Sequence, residues 1–275
     1  MARIDRLIPQ GVNAADHRLE RLARMGYLTK GIVYALVGLL AAQAAFGAGG
    51  ATTDTQGVLE RIVTQPFGQI LLGLTALGLA GYALWRVVQA ALDPEHKGND
   101  AGGLAERAGS LINGVIYFGL ALTAGRMALG TGGAGGDGTE DITARLMGWP
   151  LGVWLVGIAG LVVIGVGVQQ LYQGYRASFR KKLREEEMSA EEQTWAVRAG
   201  RFGLAARGIV FVIIGAFLIQ AARSADPQQA RGLGEALATL AEQPFGPLLL
   251  GTVALGLVAY GVYMAVLARY WRFPR

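Results

Sequence analysis

The segment Arg24-Met-Gly-Tyr-Leu-Thr-Lys-Gly-Ile-Val-Tyr34 recurs without gaps as Arg107-Ala-Gly-Ser-Leu-Ile-Asn-Gly-Val-Ile-Tyr117 and as Arg201-Phe-Gly-Leu-Ala-Ala-Arg-Gly-Ile-Val-Phe211. The shared pattern is R-x-G-x-x-x-x-G, two β-branched residues and an aromatic ring. Gly26 and Gly31, Gly109 and Gly114, and Gly203 and Gly208 are therefore structural positions of one repeated unit. A second signature follows each copy in the same order: Gln65-Pro66-Phe67-Gly68, Trp149-Pro150-Leu151-Gly152 and Gln243-Pro244-Phe245-Gly246. Chance does not place both signatures three times in one order. The chain is a triplication.

Outward from these signatures, each copy carries two long apolar stretches. Crossing a bilayer takes roughly 20 apolar residues. Six stretches qualify, about Tyr27–Phe46, Gly68–Leu92, Ser110–Leu129, Leu151–Tyr172, Phe202–Ala222 and Pro247–Leu267. Charged residues make up 16% of the chain, short of the roughly 25% of a soluble domain. The reading is an all-α polytopic membrane protein of six transmembrane helices in three tandem hairpins, at residues 1–97, 98–187 and 188–275. With two spans per copy, all three copies enter the membrane in the same direction, and a pseudo-threefold bundle follows.

Pro has no N–H and is tolerated at a helix start, so Pro66-x-Gly68, Pro150-x-Gly152 and Pro244-x-Gly246 mark where the even spans begin at the outer surface. Amphipathic stretches before them, near Val58–Val63, Ile142–Met147 and Leu233–Leu240, read as helices lying on the interface. Gly47–Ala51 and Gly130–Gly138 read as outer loops. Ser189-x-x-Glu192 is a capping-box pattern opening a helix into the fifth span, and Arg180–Glu187 before it reads as a solvated linker. Small residues four apart, as at Gly38/Ala42, Ala76/Ala80 and Gly119/Thr123, allow close helix approach, although a Gly-rich chain also produces them by chance.

Seventeen of the 25 Lys and Arg fall on one side of this topology, four on the other and four within spans. The positive-inside rule puts both termini in the cytoplasm, and accounts for the net charge of +5 without nucleic acid. The first 24 residues carry arginines but no apolar core, so the first span is expected to act as an uncleaved anchor.

Chemistry is narrowed by what is missing from the sequence. There is no cysteine, and the two histidines, His17 and His96, lie in polar stretches away from the spans. A thiolate metal site and a cysteine nucleophile are excluded, and a bis-histidine haem is not expected. Ser110 has no histidine in any span to act as its base, and no phosphate-binding Gly-Lys loop or H-E-x-x-H appears. An enzyme, a cofactor and a metal are not expected. No Asp or Glu falls within a span, which argues against carboxylate proton or sodium relays.

The polar residues that remain in the spans are basic. Lys30, Asn113 and Arg207 are matched positions one turn into the odd spans, each followed four residues later by Tyr34, Tyr117 or Phe211 on the same face. Arg24, Arg107 and Arg201 lie at the membrane edge beneath them. One reading is an anion-binding vestibule about the pseudo-threefold axis. The other is a set of snorkelling side chains that fix helix depth and meet anionic head groups. Gln43, Arg126 and Gln220 form a second matched set near the outer ends, about 220° further round the helix, so at most one set can face the axis. Arg86, Tyr260, Tyr263, Tyr270 and Trp271 read as aromatic-belt anchors.

On the triple R-x-G-x4-G entry and the P-x-G turn, the sequence resembles bacterial membrane proteins grouped as domain of unknown function 1206, over residues 20 to 270. The resemblance implies three tandem two-helix units in a bacterial inner membrane and no particular activity. The second copy departs most, with Asn113 for Lys30 and Arg207, and Trp149-Pro-Leu-Gly for Gln-Pro-Phe-Gly. Two functions remain open: a structural bundle that binds lipid or a membrane-protein partner, or a channel or transporter with a basic, anion-preferring axial path. The expected partners are the bilayer with its anionic head groups, and a membrane protein or second copy of the chain.

Overall fold

The computed structural model describes residues 10–93, 98–131 and 139–271. Within them the chain forms nine α-helices: α1 Gln10–Ala45, α2 Thr55–Val63, α3 Gly68–Leu92, α4 Ala101–Ala128, α5 Thr139–Met147, α6 Gly152–Arg176, α7 Ala190–Ser224, α8 Leu233–Ala241 and α9 Gly246–Tyr270. Six of them, α1, α3, α4, α6, α7 and α9, are long and apolar enough to cross a membrane. The protein is an all-α, multi-pass membrane bundle of three repeats. Arg3, Arg6, His96, Lys97, Arg272, Arg275 and residues 132–138 of the second Gly-rich tract lie outside the described residues.

The short helices α2, α5 and α8 occupy the amphipathic stretches before the even spans. Each is followed by the same turn. Phe67, Leu151 and Phe245 are left-handed, with φ of 61°, 63° and 61°. The amides of Gly68, Gly152 and Gly246 donate to the carbonyls of Gln65, Trp149 and Gln243 at 2.9, 2.9 and 2.7 Å. Pro66, Pro150 and Pro244 thus hold the second position of a tight turn, where their fixed φ is an advantage, and the helix starts two residues later at Gly. A Cβ on that Gly would strike the carbonyl of Ile62, Leu146 or Ala241, which explains why the turn keeps Gly at that place.

The repeat glycines divide the packing between them. The second Gly of each entry motif joins one repeat to the next. Gly31 on α1 lies against Gly261 and Met264 of α9, Gly114 on α4 against Ala83 and Val87 of α3, and Gly208 on α7 against Gly167 and Leu171 of α6. The first Gly joins the two helices of one repeat. A Cβ on Gly26 would lie 2.6 Å from the Tyr82 backbone, and one on Gly203 2.5 Å from the Tyr260 backbone. Gly109, their counterpart, meets nothing within 4 Å.

The helices accordingly follow one another in the order α4, α3, α1, α9, α7, α6, each packed on the next, and a seam remains between the two end helices, α4 and α6. The sequence explains that seam. Gly78 packs on Thr29 in the first copy and Gly256 on Ala206 in the third. At the matching places the second copy has Val162 and Ile112, which are 53% and 55% exposed. Two β-branched side chains replace a Gly and a small residue, and the backbones cannot approach.

The connection from α6 to α7 is not a solvated linker. Phe179 and Leu183 are buried, Leu183 pairs with Trp271, and the amide of Arg184 donates to the carbonyl of Tyr270 at 2.9 Å. Arg180 meets Glu185 through two hydrogen bonds, of 2.6 and 2.9 Å. The charged residues drew the sequence reading to solvent, but Phe179 and Leu183 between them face the bundle. Ser189 and Glu192 form the capping box that opens α7.

Candidate functional site

Lys30 and Arg207 are turned into the bundle, at 2% and 9% exposure. The Lys30 ammonium lies 4.7 Å from the ring centroids of Tyr82 and Tyr117, and 5.9 Å from those of Tyr34 and Tyr260. It donates to the Tyr82 hydroxyl at 3.0 Å. The Arg207 guanidinium faces Phe211 at 4.1 Å, Tyr260 at 5.1 Å and Tyr34 at 5.4 Å. Its Nε donates to the Tyr34 hydroxyl at 3.2 Å and its Nη1 to Gln170 Oε1 at 2.6 Å. The two cations therefore share the Tyr34 and Tyr260 rings, which themselves meet edge to face.

Arg86 joins the same cluster. Its Nε donates to the Tyr82 hydroxyl at 2.8 Å and its Nη1 to Gln89 at 2.9 Å. Tyr82 thus accepts from two cations at once. No carboxylate pairs with any of the three among the described residues, as the carboxylate-free spans require.

Other expected positions are placed elsewhere. Asn113 is half-buried and donates to the carbonyl of Gly109 in its own helix, at 3.3 Å, so the matched set is two cations and not a ring of three. Arg107 donates to the carbonyls of Ala90 and Ala91 at 2.8 and 3.3 Å, and Arg201 to those of Gly174 and Tyr175 at 3.2 and 2.9 Å. Both cap the C-terminal carbonyls of the preceding even helix, where cations are favoured. Arg24 departs from them and pairs with Glu20 at 2.6 Å. Arg126 is exposed in the last turn of α4, and Gln220 is exposed and bonded to Gln229. Arg126 and Gln220 of the second matched set therefore do not face the cluster of Lys30 and Arg207.

The belt reading fails for several residues. Tyr260, Tyr263, Tyr270 and Trp271 are buried, and Arg86 turns inward. Aromatic and basic residues near a helix end fit a belt by composition, and only helix rotation distinguishes the two. The sequence reading also missed Tyr82, Gln89 and Gln170 as chamber residues. A signal existed: Tyr82 and Tyr260 stand at one offset after Gly68 and Gly246, with Val166 at that offset after Gly152, and Arg86 and Gln170 share another.

An aromatic cap closes the end of the chamber on the side of the chain termini. Trp271 stacks on Tyr27 with centroids 4.6 Å apart, Tyr27 meets Tyr82 at 5.3 Å, and Phe179 meets Tyr263 at 5.0 Å.

The family described as Domain of Unknown Function (DUF1206) matches three times, at residues 25–93, 108–177 and 202–271. A protein of Bacillus subtilis (strain 168) named "Uncharacterized protein YxxB" is 39% identical over 245 residues, 89% of this chain and 88% of its own length. No solved structure matches the chain.

Proposed function

The chain belongs to the family described as Domain of Unknown Function (DUF1206), and from that premise we propose that this bundle is a non-enzymatic membrane protein whose cation–tyrosine chamber binds an anionic ligand, with the lipid bilayer as its partner. It acts in the bacterial inner membrane with both termini in the cytoplasm, the orientation favoured by the distribution of Lys and Arg.

The observation that carries this reading is the one-sidedness of the unused hydrogen-bonding capacity. Lys30 spends one of its three N–H donors on the Tyr82 hydroxyl, the Nη2 group of Arg207 has no partner among the described residues, and Gln170 Nε2 is buried without one. All three groups are donors, and the chamber offers no carboxylate to receive them. Desolvating an ammonium or guanidinium costs several kcal/mol even after relaxation. Cation–π contacts return about 0.5–2 kcal/mol each. Tyrosine rings offset part of the cost of Lys30 and Arg207, but an oxyanion would satisfy both the charge and the donors.

An axial anion path is favoured less, because Asn113 is bonded to its own helix and the matched set holds two cations in place of a ring of three. The test is thermal unfolding of the purified protein in neutral detergent with inorganic phosphate or a short-chain alkyl phosphate added. Binding to the folded state raises the midpoint by linkage, and Lys30→Met or Arg207→Met should remove the rise. No rise in wild type with either anion overturns the proposal.

A further inference from the structure

We infer that the ligand of this chamber is an anionic lipid with a small oxyanion head, which enters sideways through the open seam between α4 and α6 and leaves its acyl chain there. The inference rests on the binding reading above and adds the ligand class and the route.

The route is set by which sides are closed. Towards the aqueous phase on the terminus side, the chamber is covered by Trp271, Tyr27 and Phe179, all buried. Around the ring, close packing seals the neighbouring helix pairs other than α4 and α6. At the remaining seam Gly109 meets nothing within 4 Å, and Val166 stands where Tyr82 and Tyr260 fill the other copies. With the terminus-side end capped and the other helix pairs packed, the seam is the side left open toward the lipid.

Its two walls carry the chamber's own groups. Tyr117 on α4 faces Lys30, and Gln170 on α6 holds Arg207. Gln170 is 6% exposed, and its Nε2 is the unpartnered donor. An oxyanion at Lys30 and Arg207 would accept from that Nε2, while the exposed apolar side chains Ile112 and Val162 flank the path of a chain. Depth also fits. Lys30 and Arg207 lie six residues inside Arg24 and Arg201, about 9 Å along a helix. A small head can sink that far below the leaflet edge with its chain still in hydrocarbon, whereas a soluble anion would have to cross the aromatic cap.

The test uses the full chain in phosphatidylcholine nanodiscs containing phosphatidic acid with a photoactivatable diazirine in its acyl chain. The control is phosphatidylcholine carrying the same group. Phosphatidic acid should label the α4 and α6 peptides that border the seam about 10-fold above the control, the difference expected of about 1.4 kcal/mol of selectivity. Lys30→Met with Arg207→Met should abolish the preference, and Val166→Trp, which puts a large ring where Tyr82 and Tyr260 fill the other copies and so narrows the seam, should reduce it several-fold. Gln170→Leu serves as a milder head-group variant if the double variant does not elute as a folded species.

Equal seam labelling by the two lipids, or an unchanged preference in Val166→Trp, overturns the inference. Inorganic phosphate separates the two levels of the argument. If it stabilises wild type but not the Lys30 and Arg207 variants while the seam shows no preference, the chamber binds a free anion and lateral entry is wrong. If phosphate and phosphatidic acid both fail, the binding reading falls as well.

Discussion

The first and third repeats keep their two helices together, and the second does not, although all three carry the same R-x-G and P-x-G signatures. In the first, Gly26 and Gly78 let α1 and α3 meet at Tyr82 and Thr29, and in the third, Gly203 and Gly256 do the same for α7 and α9 at Tyr260 and Ala206. In the second, Gly109 faces open space, and Ile112 and Val162 stand at the seam. The same two copies that close also supply the buried cations, Lys30 and Arg207, while the open copy supplies Asn113, bonded to its own backbone. Divergence of one copy has given a near-symmetric ring one opening. A motif shared by all copies fixes the helices, and the residues outside it decide which pairs touch.

The largest effects should come from substituting the first repeat glycine. Gly26→Leu and Gly203→Leu force a side chain into the backbone of Tyr82 or Tyr260 and should cost about 3 kcal/mol or more, at the upper end for overpacking. Gly109→Leu should be neutral or raise the thermal midpoint, since it removes a helical Gly worth up to about 1 kcal/mol and meets no neighbour. A drop for Gly109→Leu as large as for Gly203→Leu would mean that α4 and α6 are packed after all.

Next in size are the cations. Replacing a buried ion pair by apolar residues of similar volume is often neutral or stabilising by about 1–4 kcal/mol, and a buried cation with no carboxylate partner has less Coulomb energy to lose. Lys30→Met and Arg207→Met should therefore raise the unfolding midpoint of the ligand-free protein, with Asn113→Leu changing it by less than about 0.5 kcal/mol. A fall for either cation variant would show that the tyrosine contacts outweigh desolvation.

The edge arginines should separate the copies in another way. Arg107→Ala and Arg201→Ala remove charged hydrogen bonds to helix-end carbonyls in half-exposed or exposed settings and should each cost about 1 kcal/mol. Arg24→Ala breaks a partly exposed pair with Glu20 and should cost less, about 0.5 kcal/mol. Equal losses at all three would make Arg24 a cap like the others. Arg126→Ala, exposed in the last turn of α4, should change stability by no more than about 0.5 kcal/mol, and a larger effect in the same assay would assign it a contact.

Much of this molecule was legible from the chain alone. The three copies, the six spans, the short helices before the even spans and the capping box at Ser189 all follow from local signals: repeated spacing, length of apolar run, Pro and Gly placement. So did the carboxylate-free membrane interior, which makes Lys30 and Arg207 notable. Local signals failed where rotation or docking decides. Arg86, Tyr260 and Tyr263 have the composition of an interfacial belt, yet their helices turn them inward. Arg180–Glu187 has the charge of a linker, yet Phe179 and Leu183 fasten it to the bundle.

The amino-acid sequence by itself determined the number of repeats and spans and the kind of charge the membrane interior holds, because hydropathy, glycine spacing and residue type act along the chain. Only the tertiary structure decided that two of the three matched polar positions share one tyrosine chamber, that the repeat arginines cap their neighbours, and that the ring opens between α4 and α6. Those outcomes depend on how closely helices from different copies approach. That distance is set by side chains far apart in the sequence, Gly78 with Thr29 or Val162 beside Ile112, which meet or fail to meet only once the whole ring is assembled.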